Sequence, residues 1–222
     1  MSTRTVIIKE TDTPKKAAWL AEAKERWDKT GLAKGAKLSL HCHKTYEDGT
    51  CAMELVAHVA GLEHTDAPPC VDPLLREIVW AWNDSFDGSD ARTRAIMPLL
   101  PMVLHADNVP INREKRIALL VQWGMEIARP TLSASALRIL DEKLDGRVST
   151  YYLLKRGLSP REEHLVGRLT DISMGDFWGK QLLQLATACY EGDPKVRLKR
   201  NDPMATLVMR VCFQLAGMGD ER

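Results

Sequence analysis

The sequence contains no run of ~18 uninterrupted apolar residues, the length a membrane-spanning helix requires, so no membrane span or membrane partner is expected. Its N-terminus, MSTRTVIIKETDTPKK, offers no apolar stretch of signal-peptide length, since the short Val6-Ile7-Ile8 run meets charge at once. Charge of one sign is also lacking. Lys and Arg number 31 against 30 Asp and Glu, a formal +1, so affinity for nucleic acid through bulk charge is excluded as the main mode of action. Phenylalanine is scarce, at three residues against six tryptophans. Five cysteines make an odd set, poorly suited to a disulfide framework and compatible with a reducing cytoplasm, where the protein is expected to reside. There is no internal repeat, no low-complexity tract and no glycine-rich phosphate loop. Gly31-x-x-x-Gly35 lacks the Lys-Ser/Thr pair and the preceding strand.

What is present is an ordinary globular composition, 45% hydrophobic and 27% charged, over 222 residues. Helical patterning dominates. It runs over Pro14–Asp28, from Thr50 or Cys51 to Ala60 with Gly61 just past the end, and from Asp72-Pro73 to Asn83. Ser89 is expected to cap the next helix, which Pro98 and Pro101 must kink or split on the way to Leu104. Asn112–Arg129, Ser133–Leu144, a capping box at Ser159-Pro160-Arg161-Glu162, Gly175–Tyr190 and Asp202–Ala216 complete the helices. Thr5–Lys9 and Ala36–His43 read as short strands. The expectation is a mainly α, multi-helical globular protein with two or three short N-terminal strands. It divides near Gly146–Ser159 into a domain over 1–146 and a C-terminal helical subdomain over 147–222 packed on it.

All four histidines before residue 100 and three of the five cysteines fall between His41 and Cys70. On a helical wheel Ala52, Leu55, Val56 and Val59 form the core stripe, and Cys51, Glu54 and His58 lie within about 60° of one another beside it. Three readings stay open. In the first, Cys51 is a nucleophile whose thiol is lowered by a helix N-terminus, with Glu54 or a distant histidine, His105 or His164, assisting. Asp48-Gly49-x-Cys51 before an apolar helix resembles, over some ten residues, the nucleophile turn of the ovarian-tumour class of papain-like cysteine proteases. In the second, zinc is held by some of His41, His43, Cys51, His58 and Cys70, although no finger-type spacing is present. In the third, Cys51 and Cys70 are small buried hydrophobes and Glu54 and His58 are a partly exposed helix pair.

The block Glu47-Asp48-Gly49-x-Cys51-Ala52-Met53-Glu54-x-Val56-Ala57-x-Val59-Ala60-Gly61, with Asp66-x-Pro68-Pro69-Cys70-Val71 and Trp82-Asn83-Asp84, resembles a family of uncharacterised proteins from actinobacteria and their phages. Met97–Pro101 and Ser135–Asp141 extend the likeness over about residues 30–145. The resemblance implies a bacterial or phage cytoplasmic protein. The chain departs from the family pattern at His58 and around His64, which speaks against those two as essential ligands.

Two further features point outward. Lys195-x-Arg197-x-Lys199-Arg200 is a short basic run that reads as a solvated connection. Trp80 and Trp82 stand about 200° apart on one helix, so both cannot face one core; one is available for packing between the two parts or for a partner. The expected function is therefore non-enzymatic: binding of a host or cell macromolecule, a protein rather than nucleic acid, in a host-takeover, anti-defence or regulatory role. The alternatives are a cysteine-dependent hydrolase and a zinc-stabilised binding module.

Overall fold

A computed structural model describes residues 14–31, 33–106, 113–144, 158–174, 178–190 and 201–216. It is all-α among those residues, in two compact units. The first takes in Met1–Ile111 with Met204–Arg222, the second Asn112–Pro203. The boundary expected near residue 146 falls inside the second unit.

In the first unit, α1 (Pro14–Thr30) packs on α5 (Leu100–His105), and α2 (Ala52–Val59) packs on α3 (Pro73–Asn83) and α5. Helix α4 (Ser89–Ile96) passes through a 3-10 turn, Met97–Leu99, into α5. Pro98 and Pro101 thus split the segment as their missing N–H groups require. The last helix, α10 (Asn201–Leu215), joins this unit from Met204 onward. Its side chains are buried almost all round, from Met204 to Phe213, so it cannot lie on a surface as a one-sided amphipathic helix does. Phe213 meets the edge of Trp19 at 5.6 Å between ring centroids and carries Lys16 Nζ 5.0 Å from its own centroid.

Helix α2 is the centre of the site described below. Seven of its eight residues are buried, leaving His58 half-buried. Each fully buried Leu, Val or Met there contributes about 1.5–3 kcal/mol. The helix ends as the sequence predicts: Gly61 takes a φ of +72°, Gly61 N–H bonds His58 O at 3.0 Å and Leu62 N–H bonds Ala57 O at 3.0 Å, a Schellman motif. Asp72 caps α3 by accepting from Leu74 N–H at 2.9 Å, as expected. Ser89 does not cap α4. Gly88 occupies that position without a side-chain bond, and Ser89 Oγ instead donates to Leu38 O at 2.8 Å.

That bond belongs to a larger difference from expectation. Ala36–His43 is not a strand, and no strand occurs among the described residues; Thr5–Lys9 lies outside them. Ser39 N–H donates to the Thr50 carbonyl at 2.8 Å, and most of the other backbone bonds of the segment are to side chains. Leu38 N–H donates to Thr93 Oγ1 at 2.9 Å, and Leu38 O also accepts from Arg92 Nη1 at 3.1 Å. Ser39 O accepts from Asn83 Nδ2 at 3.0 Å, His41 N–H donates to Asp84 Oδ1 at 3.1 Å, and His43 N–H donates to Glu54 Oε1 at 2.6 Å. A chain whose buried polar groups are satisfied this way needs no neighbouring strand.

In the second unit, α6 (Arg113–Ala128), α8 (Pro160–Met174) and α9 (Trp178–Cys189) pack on one another, with α7 (Ala134–Leu144) against α8. Gly124 is the close-approach point: a Cβ there would stand 2.6 Å from Leu169 Cδ2 and 3.0 Å from Leu185 Cδ2. The capping box at Ser159 forms as expected, Ser159 N–H donating to Glu162 at 2.9 Å. Glu162 reaches further, to Ser133 N–H at 3.0 Å, and so ties the start of α7 to that of α8. Those hydrogen bonds from Ser133 and Ser159 hold its carboxyl down at about 2. The basic run 195–200 lies outside the described residues.

Candidate functional site

Cys51 is the N-cap of α2, extended at φ −80° and ψ 173°. Its Sγ accepts Glu54 N–H at 3.5 Å while the Glu54 carboxylate accepts Cys51 N–H at 2.7 Å, a capping box with sulfur in place of a hydroxyl. Glu54 has no solvent exposure, and its carboxylate serves a second partner as well. His43 gives it two bonds, the main-chain N–H to Oε1 at 2.6 Å and ring Nδ1 to Oε2 at 2.9 Å. Burial pushes the Glu54 carboxyl up, but the N–H groups of Cys51 and His43 and the His43 ring together outweigh it, and the group ends below its ordinary 4.5. His64 Nε2 stands 3.7 Å from Oε1, outside hydrogen-bond range, and finds no hydrogen-bond partner among the described residues.

An ionised carboxylate only accepts, so His43 Nδ1 carries a proton, and in the neutral ring Nε2 is then the acceptor. Nε2 lies 3.1 Å from Ser39 Oγ, which also accepts Thr50 N–H at 2.8 Å. Ser39, His43 and Glu54 thus form one hydrogen-bonded chain from a half-buried hydroxyl to a buried carboxylate. Gly49 lies against the Ser39–His43 contact at a φ of +141°; a Cβ there would be 2.7 Å from both Ser39 Oγ and His43 Nε2.

A second network holds the tip of the same segment. Asp84 accepts His41 N–H and Asn83 Nδ2 on Oδ1, and its Oδ2 lies 3.2 Å from His41 Nδ1. His41 is held at a φ of +62°, in the left-handed region. Asn83, fully buried, accepts Ala52 N–H at 3.3 Å. Arg92, 3% exposed, donates to three carbonyls, those of Asn83, Leu38 and Phe86. Leu40, His41 and Cys42 are left exposed at the tip.

The structure separates several residues that the sequence groups together. Cys51 and Glu54 do meet, but neither belongs to an exposed stripe: both are fully buried, which corrects the partly exposed pair expected for Glu54 and His58. Burial and the neighbouring Glu54 charge push the Cys51 thiol up to about 12 despite its place at a helix N-terminus, which favours the neutral thiol over the thiolate. The proposed zinc ligands do not converge. His41 turns to Asp84, His43 to Glu54 and Ser39, Cys51 caps α2, and Cys70 sits in the turn before α3, where Arg26 is its charged neighbour. Among the described residues no group of three or more His, Cys, Asp or Glu side chains is arranged to hold a metal ion. His58 and His64 both pack on the Tyr46 ring, at 4.2 and 4.5 Å between centroids. Trp82 is fully buried and Trp80 is 46% exposed, as their angular separation requires.

Sequence reading missed Ser39, Thr50 and Arg92. Nothing in their local pattern marks them, and the cap formed by Cys51 and Glu54 was missed as well. No helix among the described residues is long and apolar enough to cross a membrane. Comparison with protein-family models, curated proteins and solved structures finds no match to this chain.

Proposed function

We propose that the protein acts by binding a partner protein through the surface that carries Leu40 and Trp80. One observation carries this reading. Leu40, 41% exposed, and Trp80, 46% exposed, are the large hydrophobic side chains left in solvent among the described residues, and the segment bearing the first is pinned to the end of the helix bearing the second. Asn83 and Asp84, which hold Ser39 and His41, follow Trp80 by one turn of α3. With the backbone on both sides of Leu40 already tied down, docking of these two side chains orders little additional main chain, which suits a binding hot spot. The resemblance to actinobacterial and phage proteins extends the proposal to a bacterial cytoplasmic partner and a host-takeover, anti-defence or regulatory role.

The test is a photo-crosslinking amino acid introduced beside Trp80, at Ala81, expressed in an actinobacterial host. The expected outcome is a discrete crosslinked protein that disappears when Leu40→Ser and Trp80→Ala are added, with the melting temperature of the variant within a few degrees of the parent. Crosslinks of equal yield with and without those two changes would sink the reading.

A further inference from the structure

We propose that Ser39, His43 and Glu54 form an acyl-transfer site for a carboxylic ester, with Ser39 Oγ as nucleophile and His43 as its base. This goes beyond the binding surface and stands independently of it. The geometry is that of a nucleophile–base–carboxylate relay: Ser39 Oγ lies 3.1 Å from His43 Nε2, and His43 Nδ1 lies 2.9 Å from Glu54 Oε2. Glu54 touches no substrate. It is a positioning residue that fixes the tautomer leaving Nε2 free to take a proton, and its second bond, from His43 N–H, fixes the backbone beneath the ring. Thr50 N–H, 2.8 Å from Ser39 Oγ, favours the alkoxide as it forms. Leu40 N–H, directly after the nucleophile, makes no hydrogen bond to the described residues and so is a donor still available to a developing oxyanion. Gly49 has only hydrogen where a methyl would sit 2.7 Å from both reacting atoms. That closeness makes glycine necessary at this position.

In the step, a bond forms between Ser39 Oγ and the ester carbonyl carbon while the hydroxyl proton passes to His43 Nε2. The tetrahedral oxyanion collapses, the carbon–alkoxide bond breaks, and the leaving alkoxide takes the proton from His43. Water, deprotonated by the same nitrogen, then releases the carboxylic acid and restores Ser39.

The test uses a short alkyl fluorophosphonate on the intact chain, read by mass spectrometry. Attack by Ser39 Oγ on phosphorus expels fluoride and leaves a stable adduct on that residue. The expected result is an adduct mapped to Ser39, absent in Ser39→Ala and formed about a hundredfold or more slowly in His43→Ala. Glu54→Gln is expected to shift the pH profile of labelling, which a purely structural loss does not do. The urea-unfolded wild-type chain is the control that needs no folded variant. Labelling of Ser39 no faster in the folded protein than in that control, or unchanged by folded His43→Ala, overturns the proposal.

Discussion

His43 and Glu54 are joined twice, main-chain N–H to Oε1 at 2.6 Å and ring Nδ1 to Oε2 at 2.9 Å. An extended segment is thereby fastened to the first turn of a buried helix by one carboxylate, which also closes that helix's cap through Cys51 N–H. Loss of Glu54 would leave buried donors on two elements without an acceptor.

Glu54→Ala is expected to destabilise the first unit by about 3 kcal/mol, the penalty of stranding buried donors to a charged acceptor. Its folded carboxyl lies below the 4.5 of an unperturbed glutamate. The sign follows: the contribution is fully present above pH 4.5 and fades as pH falls through the lower folded value. Urea denaturation of wild type and Glu54→Ala between pH 7 and pH 3 should show their stability difference narrowing toward acid. A constant difference across that range contradicts the assignment.

Gly49→Ala is expected to cost about 1–3 kcal/mol, because it adds a Cβ into occupied space at a backbone angle alanine rarely adopts. The space is that of Ser39 Oγ and His43 Nε2, 2.7 Å away. Gly31, at a φ of +66° with nothing within 4 Å, gives the comparison: Gly31→Ala meets only the milder strain of the left-handed region and no clash. Thermal melts of the two variants should separate, with Gly49→Ala the lower.

Arg92→Lys should be almost as damaging as Arg92→Ala, each losing about 2–4 kcal/mol, since an ammonium cannot replace a planar fork. The guanidinium spans the carbonyls of Leu38, Asn83 and Phe86, three separate pieces of the fold. Chemical denaturation of both variants checks this. A lysine variant at wild-type stability contradicts it.

The cysteines should differ in reactivity by their exposure. All five are free; Cys42 is exposed and Cys70 partly so, whereas Cys51, Cys189 and Cys212 are buried. Burial pushes the Cys51 and Cys189 thiols up to about 12 each, and raises Cys212 as well. Ellman titration of the native protein at pH 8 is expected to modify Cys42 first and Cys70 more slowly, with the buried three reacting only on unfolding. Rapid native modification of Cys51 would restore the thiol-hydrolase reading.

Local chemistry explains which features the sequence discloses. The Asp72-Pro73 start, the Gly61 stop, the Ser159–Glu162 box and the split at Pro98 and Pro101 each depend on residues within one or two turns, and all four are found. The strand at Ala36–His43 rested on alternation alone. Alternation reports which side chains turn inward, but not whether the backbone meets another strand or a set of side chains.

The sequence by itself determined the helical content, several helix ends and the opposed burial of Trp80 and Trp82, because 3.6-residue periodicity and capping are short-range physics. Tertiary structure alone decided the state of the His/Cys cluster. Ser39 and Glu54 are fifteen positions apart, and Asn83 and Arg92 are farther still, so only the folded chain brings them to one segment. The same burial that puts Glu54 behind His43 removes water from Cys51. Cys51 is thereby a buried cap, and Ser39, which the sequence did not single out, is hydrogen-bonded to His43.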